Sequence, residues 1–222
     1  MFKKFLFVVL AFVFAVSLFA TDDAGVIESG ILEIEHAIEA GNNDSAASIA
    51  IGTGISDLAD ISFGIGYVFK EGGVMDVNTV SALESGVNLK LLESEGLPAL
   101  TLAIGYIFGS SEYSVGFLYS HEIEAFAYHV NLVYANAAAQ EEYSAGFKAE
   151  YGFFEKLTAG LDAEFLGLND YEDNGALNLA GTICYVPVDE FEAELAVSKD
   201  IKHEGSGVMF GLTLLWAVDV VK

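Results

Sequence analysis

Arginine is absent from this chain of 222 residues, and proline occurs only twice, cysteine once and tryptophan once. Each scarcity excludes something. Nine lysines stand against 33 Asp and Glu, for a net charge of −24. Nucleic-acid affinity rests on cationic contacts to phosphate, so no nucleic-acid partner is expected; the field of such a chain draws in cations. A lone cysteine, Cys184, cannot close an internal disulfide and reads as a small residue on a strand. Pro98 and Pro187 are both expected beside turns, where a missing N–H does least harm to a sheet. Hydrophobic residues make up 53% of the chain, yet beyond residue 20 no run reaches the roughly 18 apolar residues of a membrane helix.

The one compact apolar run lies at the start. Lys3 and Lys4 precede Phe5 to Val16, and Ser17-Leu18-Phe19-Ala20 closes the stretch with small residues. Residues 1–20 therefore read as a secretory signal peptide, and residues 21–222 as a single domain. All 33 acids fall in the mature part, leaving seven lysines against them and a charge near −26.

From about residue 30 the chain repeats one pattern. In the last stretch Val208, Phe210, Leu212, Leu214, Trp216 and Val218 alternate with Gly207, Met209, Gly211, Thr213, Leu215 and Ala217. A period of two places the two sets on opposite faces of a strand. Segments of roughly 9–11 such residues cross a bilayer when tilted. The pattern and the turn residues give twelve strands, with ten as the alternative count: an all-β, antiparallel, up-and-down transmembrane barrel. The first strand is expected over Gly30–Ile38, the third to end at Phe69 before a Gly-rich loop from Lys70 to Asn78, and the sixth to end at Tyr119 with His121 in a turn. A secreted β-sandwich with the apolar face packed inward is the soluble alternative. Its outer face should carry large solvated side chains, whereas here that face is mostly Gly, Ala, Ser and Thr.

Aromatic residues fall at strand ends on this map, as expected where a bilayer meets water. Tyr67, Tyr106, Tyr134 and Tyr143 mark one rim, and Tyr151, Tyr185 and Trp216 the other. Signal peptide, alternating strands, two aromatic rims and a final strand close to the chain end together resemble the bacterial outer-membrane β-barrel (porin-like) class. The likeness covers the whole mature chain. It implies the outer membrane of a two-membrane bacterium, contact with membrane lipid, and insertion by a barrel-assembly machinery. Gly211, Leu214 and Trp216 resemble the aromatic terminal signal of many such barrels, but here the chain continues through Ala217 to Lys222.

If the apolar face meets lipid, the other face lines a lumen. Ser48, Ala50, Gly52, Gly54, Ser62, Gly64 and Gly66 are too small to fill a twelve-stranded barrel, so a partly water-filled bore is expected. Its polar lining is Glu33, Glu35, Glu84, Lys90, His129, Asn131, Lys148, Glu150, Asp162, Glu164, Glu192 and Glu194. Lys148 and Asp162 face each other in one of two registers, and the acids of the first and eleventh strands flank the twelfth. Fixed carboxylates beside a narrow aqueous path favour cations, and their crowding makes conduction pH-sensitive. The expected function is a small passive channel for small cationic or neutral solutes. The alternatives are a non-conducting structural or surface-interaction barrel and, more remotely, an outer-membrane hydrolase.

No catalytic site, metal site or cofactor emerges. A Ser–His–acid site needs a nucleophile within reach of a base, and no serine is singled out to pair with His129. Asp170-Tyr171-Glu172-Asp173-Asn174-Gly175 opens like a calcium loop, but Gly181 occupies the position of its closing acid.

Overall fold

The computed structural model describes residues 25–41, 45–71, 74–92, 97–108, 112–137, 140–170, 175–203 and 206–220. The signal segment expected at residues 1–20 lies outside them, as do positions 171–174 of the acidic loop. Side chains of residues 69–82 are likewise outside the description.

Twelve strands close into one barrel: β1 Ile31–Gly41, β2 Ser45–Ser56, β3 Ala59–Glu71, β4 Val74–Leu92, β5 Ala99–Phe108, β6 Glu112–Ile123, β7 Phe126–Ala137, β8 Gln140–Phe154, β9 Leu157–Leu166, β10 Ala176–Val188, β11 Phe191–Asp200 and β12 Val208–Asp219. Each pairs antiparallel with its neighbours in the chain. The seam joins β1 to β12 from Ile31↔Asp219 to Gly41↔Met209. Closure removes every sheet edge, so the ladder satisfies the backbone without water. β1 begins and β12 ends at the same end of the barrel, here called the inner end.

The strand ends differ from the sequence map where the map assigned residues to turns. β4 starts at Val74, inside the loop expected from Lys70 to Asn78, and pairs with β3 back to Glu71↔Val74. The expected loop from Lys70 to Asn78 is therefore largely strand. Val74, Val77, Thr79 and Val80 are β-branched and suit it. β6 runs on to Ile123, and only Glu124 and Ala125 separate it from β7. His121 accordingly sits in β6, with its ring edge-on to Tyr128 at 5.6 Å, not in a turn. Pro187 lies inside the last residues of β10, where the pairing register with β11 shifts between Tyr185 and Val188. The irregularity accommodates the missing N–H.

The large apolar side chains stand outside. Phe63 is 55% exposed and Leu161 73%, with Ile51, Phe117, Leu132, Phe147, Leu195 and Phe210 in the same outward phase. So extensive an apolar surface is not compatible with water around it; it matches the lipid-facing band of a membrane barrel. The soluble sandwich is excluded by closure and by this orientation. Ring contacts gather at both ends. At the outer end Tyr106 meets Phe108, and Tyr134 meets both Tyr113 and Tyr143. At the inner end Phe126 meets Tyr151, and Phe191 meets Trp216.

An arginine in the outer band measures this orientation. Leu161 is at the middle of β9. Leu161→Arg is expected to cost about 2–4 kcal/mol, the penalty for a cation at the bilayer midplane. Urea titration of the barrel refolded into lipid vesicles reads the loss. A variant as stable as the parent would mean that this face meets water.

Candidate functional site

The inward phase is unevenly filled. Around the middle of β5–β7 the interior is packed: Thr101 is 0% exposed, Ala103 and Leu118 1%, and Val133 packs with the latter two. Small residues were expected to leave this space open. Leu118 and Val133, aliphatic residues on the inward phase, close it instead. Around this packed region the lumen is open, and a cavity of about 1010 Å³ is lined by residues from all twelve strands. Its lining includes Asp189 and Glu190 in the inner turn between β10 and β11, and Glu112 and Asn136 at the outer ends of β6 and β7. It thus extends from one rim region to the other.

Among the described residues, thirteen carboxylates line this space, against Lys148 and His129 as the basic side chains. Of the residues expected there, Glu33, Glu35, Glu84, His129, Lys148, Glu150, Glu192 and Glu194 line it. Lys90, Asn131, Asp162 and Glu164 do not. Lys90 is at the inner end of β4, where its N–H donates to the Leu58 carbonyl at 2.9 Å. Asn131 is sealed in the packed region, opposite Leu118. Asp162 and Glu164 face inward from β9, and Asn178 Nδ2 donates to Glu164 Oε2 at 3.2 Å. Glu35 and Glu192 both sit opposite Leu215 of β12, so the acids of β1 and β11 share one wall.

One polar network crosses this wall. Lys148 stands opposite Asp162 in the register of β8 and β9. Its ammonium turns elsewhere, however, to Glu150 Oε1 at 3.0 Å and Glu194 Oε2 at 3.1 Å. Glu150 lies two residues along the same face, and Glu194 three strands away. Gly160, opposite Glu150 on β9, leaves room for that carboxylate side chain. A Cβ on Gly160 would come within 2.6 Å of Thr182 Oγ1 and 3.3 Å of Glu150 Cγ. Glu150 Oε2 also lies 3.1 Å from His129 Nε2, while His129 Nδ1 is 2.8 Å from Ser120 Oγ. With the carboxylate ionised and the imidazole neutral, Nε2 donates to Glu150 and Nδ1 accepts from the serine hydroxyl.

Ser120 was missed by the sequence reading, which ended the sixth strand one residue earlier. Its signal was available: Ser120 and His129 are equidistant from the Glu124–Ala125 turn, and so pair across the hairpin. Serine, histidine and acid stand in the hydrogen-bonding order of a hydrolytic triad. Two features argue against that chemistry. Ser120 is buried and lies outside the cavity lining. β6 is paired on both sides at Ser120, with Ala99 and with His129, so neighbouring amides serve the ladder instead of forming an oxyanion hole. The histidine is a fixed bridge between Ser120 and Glu150. Among the described residues, no group of three or more His, Cys, Asp or Glu is placed to hold a metal ion.

No protein-family model matches the chain. No curated protein matches it in sequence. Solved structures do. The KdgM porin superposes with a TM-score of 0.62 at 10% identity, over 83% of this chain and 98% of that one. The NanC porin gives 0.63 at 9% identity, with the same coverages of 83% and 98%. An outer-membrane channel from Pseudomonas putida F1 gives 0.60 at 11% identity, covering 88% of this chain and 98% of that one. The chain thus has the fold of the bacterial outer-membrane β-barrels, the class its alternation resembles.

Proposed function

We propose that this barrel is a passive outer-membrane channel that favours small cations and neutral solutes over anions. One observation carries the reading: a cavity extends between the two rim regions, lined, among the described residues, by thirteen carboxylates and a single lysine. That lysine is already paired with Glu150 and Glu194, so the field along the path is negative. Fixed carboxylates in a confined aqueous path lower the barrier to cations and raise it for anions. Conduction needs no moving part, and the role of the wall is electrostatic filtering. The neighbouring folds include porins and channels, which supports conduction but does not name a solute. The outer membrane of a two-membrane bacterium is the location that fits the apolar band and the fold. Lipid and an assembly machinery are then its partners.

The reading is tested by single-channel recording after reconstitution in planar bilayers. Under a potassium chloride gradient the reversal potential is expected to have the sign of a cation-selective pore. In the double variant Glu33→Gln and Glu35→Gln it should move toward zero. The same potential in parent and variant would remove these two acids from the path, and absence of any conductance would discard the channel.

A further inference from the structure

The chain does not enter β1 directly from solvent. Residues 25–28 lie within the inner end of the barrel, and all four line the cavity. Ser29 bridges Gly54 of β2 in the parallel sense. Gly30 then reverses the chain with φ of 86°, a left-handed conformation suited to glycine. The Ile31 N–H closes this turn on the Glu28 carbonyl at 3.0 Å. Because β2 runs toward the inner end, the segment descends inside the wall before β1 turns outward.

Three features hold it there. The Ile27 N–H donates to Asp60 Oδ2 at 3.0 Å. Asp60 is 1% exposed, and Asn88 Nδ2 donates to its other oxygen at 3.1 Å. The wall beneath is cut away to fit. A Cβ on Gly52 would come within 2.5 Å of Ile27 Cδ1, and one on Gly54 would strike the Ile27 and Glu28 carbonyls. A buried carboxylate aimed at one backbone N–H, with two glycines beneath the same segment, is a built seat.

We propose that residues 25–28 are a seated strap that narrows the inner mouth of the pore, so that its release widens the conducting path. The inference rests on the channel reading above. Two variants unseat the strap without removing a strand residue: Gly54→Val places a side chain in the seat, and Ile27→Pro deletes the N–H that Asp60 accepts. Single-channel conductance of each is compared with the parent, and heat-modifiable gel migration confirms the folded barrel. Conductance is expected to rise about twofold in both variants. Should neither variant fold, deletion of residues 25–28 reads the same quantity, since those residues belong to no strand. A parent that conducts, with variants of unchanged conductance, overturns the strap and leaves the channel intact. A silent parent with variants that conduct makes the strap a full plug, which supports the proposal. Silence in every protein overturns the channel reading and the strap with it.

Discussion

Modification of Cys184 by a charged thiol reagent is expected to cut the current through the barrel by about half or more. The experiment requires no engineered background, because the chain contains a single cysteine. Cys184 is on the inward phase of β10, opposite Glu194 on one side and Thr158 on the other, and it lines the cavity. A bulky group tethered there takes up part of a bore that Leu118 and Val133 already narrow from β6 and β7. Reagent charge provides a second readout. Glu192 and Glu194 are close on β11, so a trimethylammonium-bearing reagent should react faster than a sulfonate of similar size, on the order of tenfold at low salt. Added salt should shrink that ratio, because screening acts within about 10 Å at 0.1 M. If neither reagent labels the folded protein, while both label it after unfolding, the thiol does not face water and the lumen assignment fails. Labelling with unchanged current would place Cys184 in a pocket off the conducting path.

How much of this was legible in the sequence depends on which physical rule was in force. Alternation is local. Ile51, Phe63, Leu161 and Phe210 could be assigned to the outer face because a strand offers only two faces, and all four stand outward. The same rule put Glu33, Glu35, Glu192 and Glu194 inward, where they line the cavity. Strand count followed from turns, and twelve strands close the barrel.

What alternation cannot supply is distance across the lumen or the fate of residues that precede the sheet. Lys148 had a visible cross-strand partner in Asp162, yet its ammonium reaches Glu194 on β11. That depends on the curvature of the wall from β8 to β11, which no cross-strand register contains. Gly52 and Gly54 read as generic small lumen residues, and only the position of Ile27 shows what the space accommodates. Leu118 and Val133 were legible as departures from the polar inward phase. Their consequence, a packed cluster beside an open cavity, needed the packing.

Replacement of Lys148 by methionine is expected to destabilise the barrel by about 3 kcal/mol, the lower end of the cost of breaking a buried pair. The ammonium is held between Glu150 and Glu194, its side chain is only 7% exposed, and the two carboxylates are 17% and 18% exposed. Methionine keeps the length of the stem and removes the charge. Glu150 and Glu194 are then left facing each other, with Asp162 on the adjoining strand, and none has the compensating cation. A surface ion pair would lose at most about 1 kcal/mol, so the magnitude itself tests the enclosure. Glu194→Gln in the same chain should restore part of the loss, because it removes one member of the repelling pair, and a double-mutant cycle isolates that coupling. Urea midpoints of vesicle-folded protein at neutral pH provide the four corners. If Lys148→Met alone shifts stability by less than about 0.5 kcal/mol, water in the bore screens the cluster, and the network is not what ties β8 to β11.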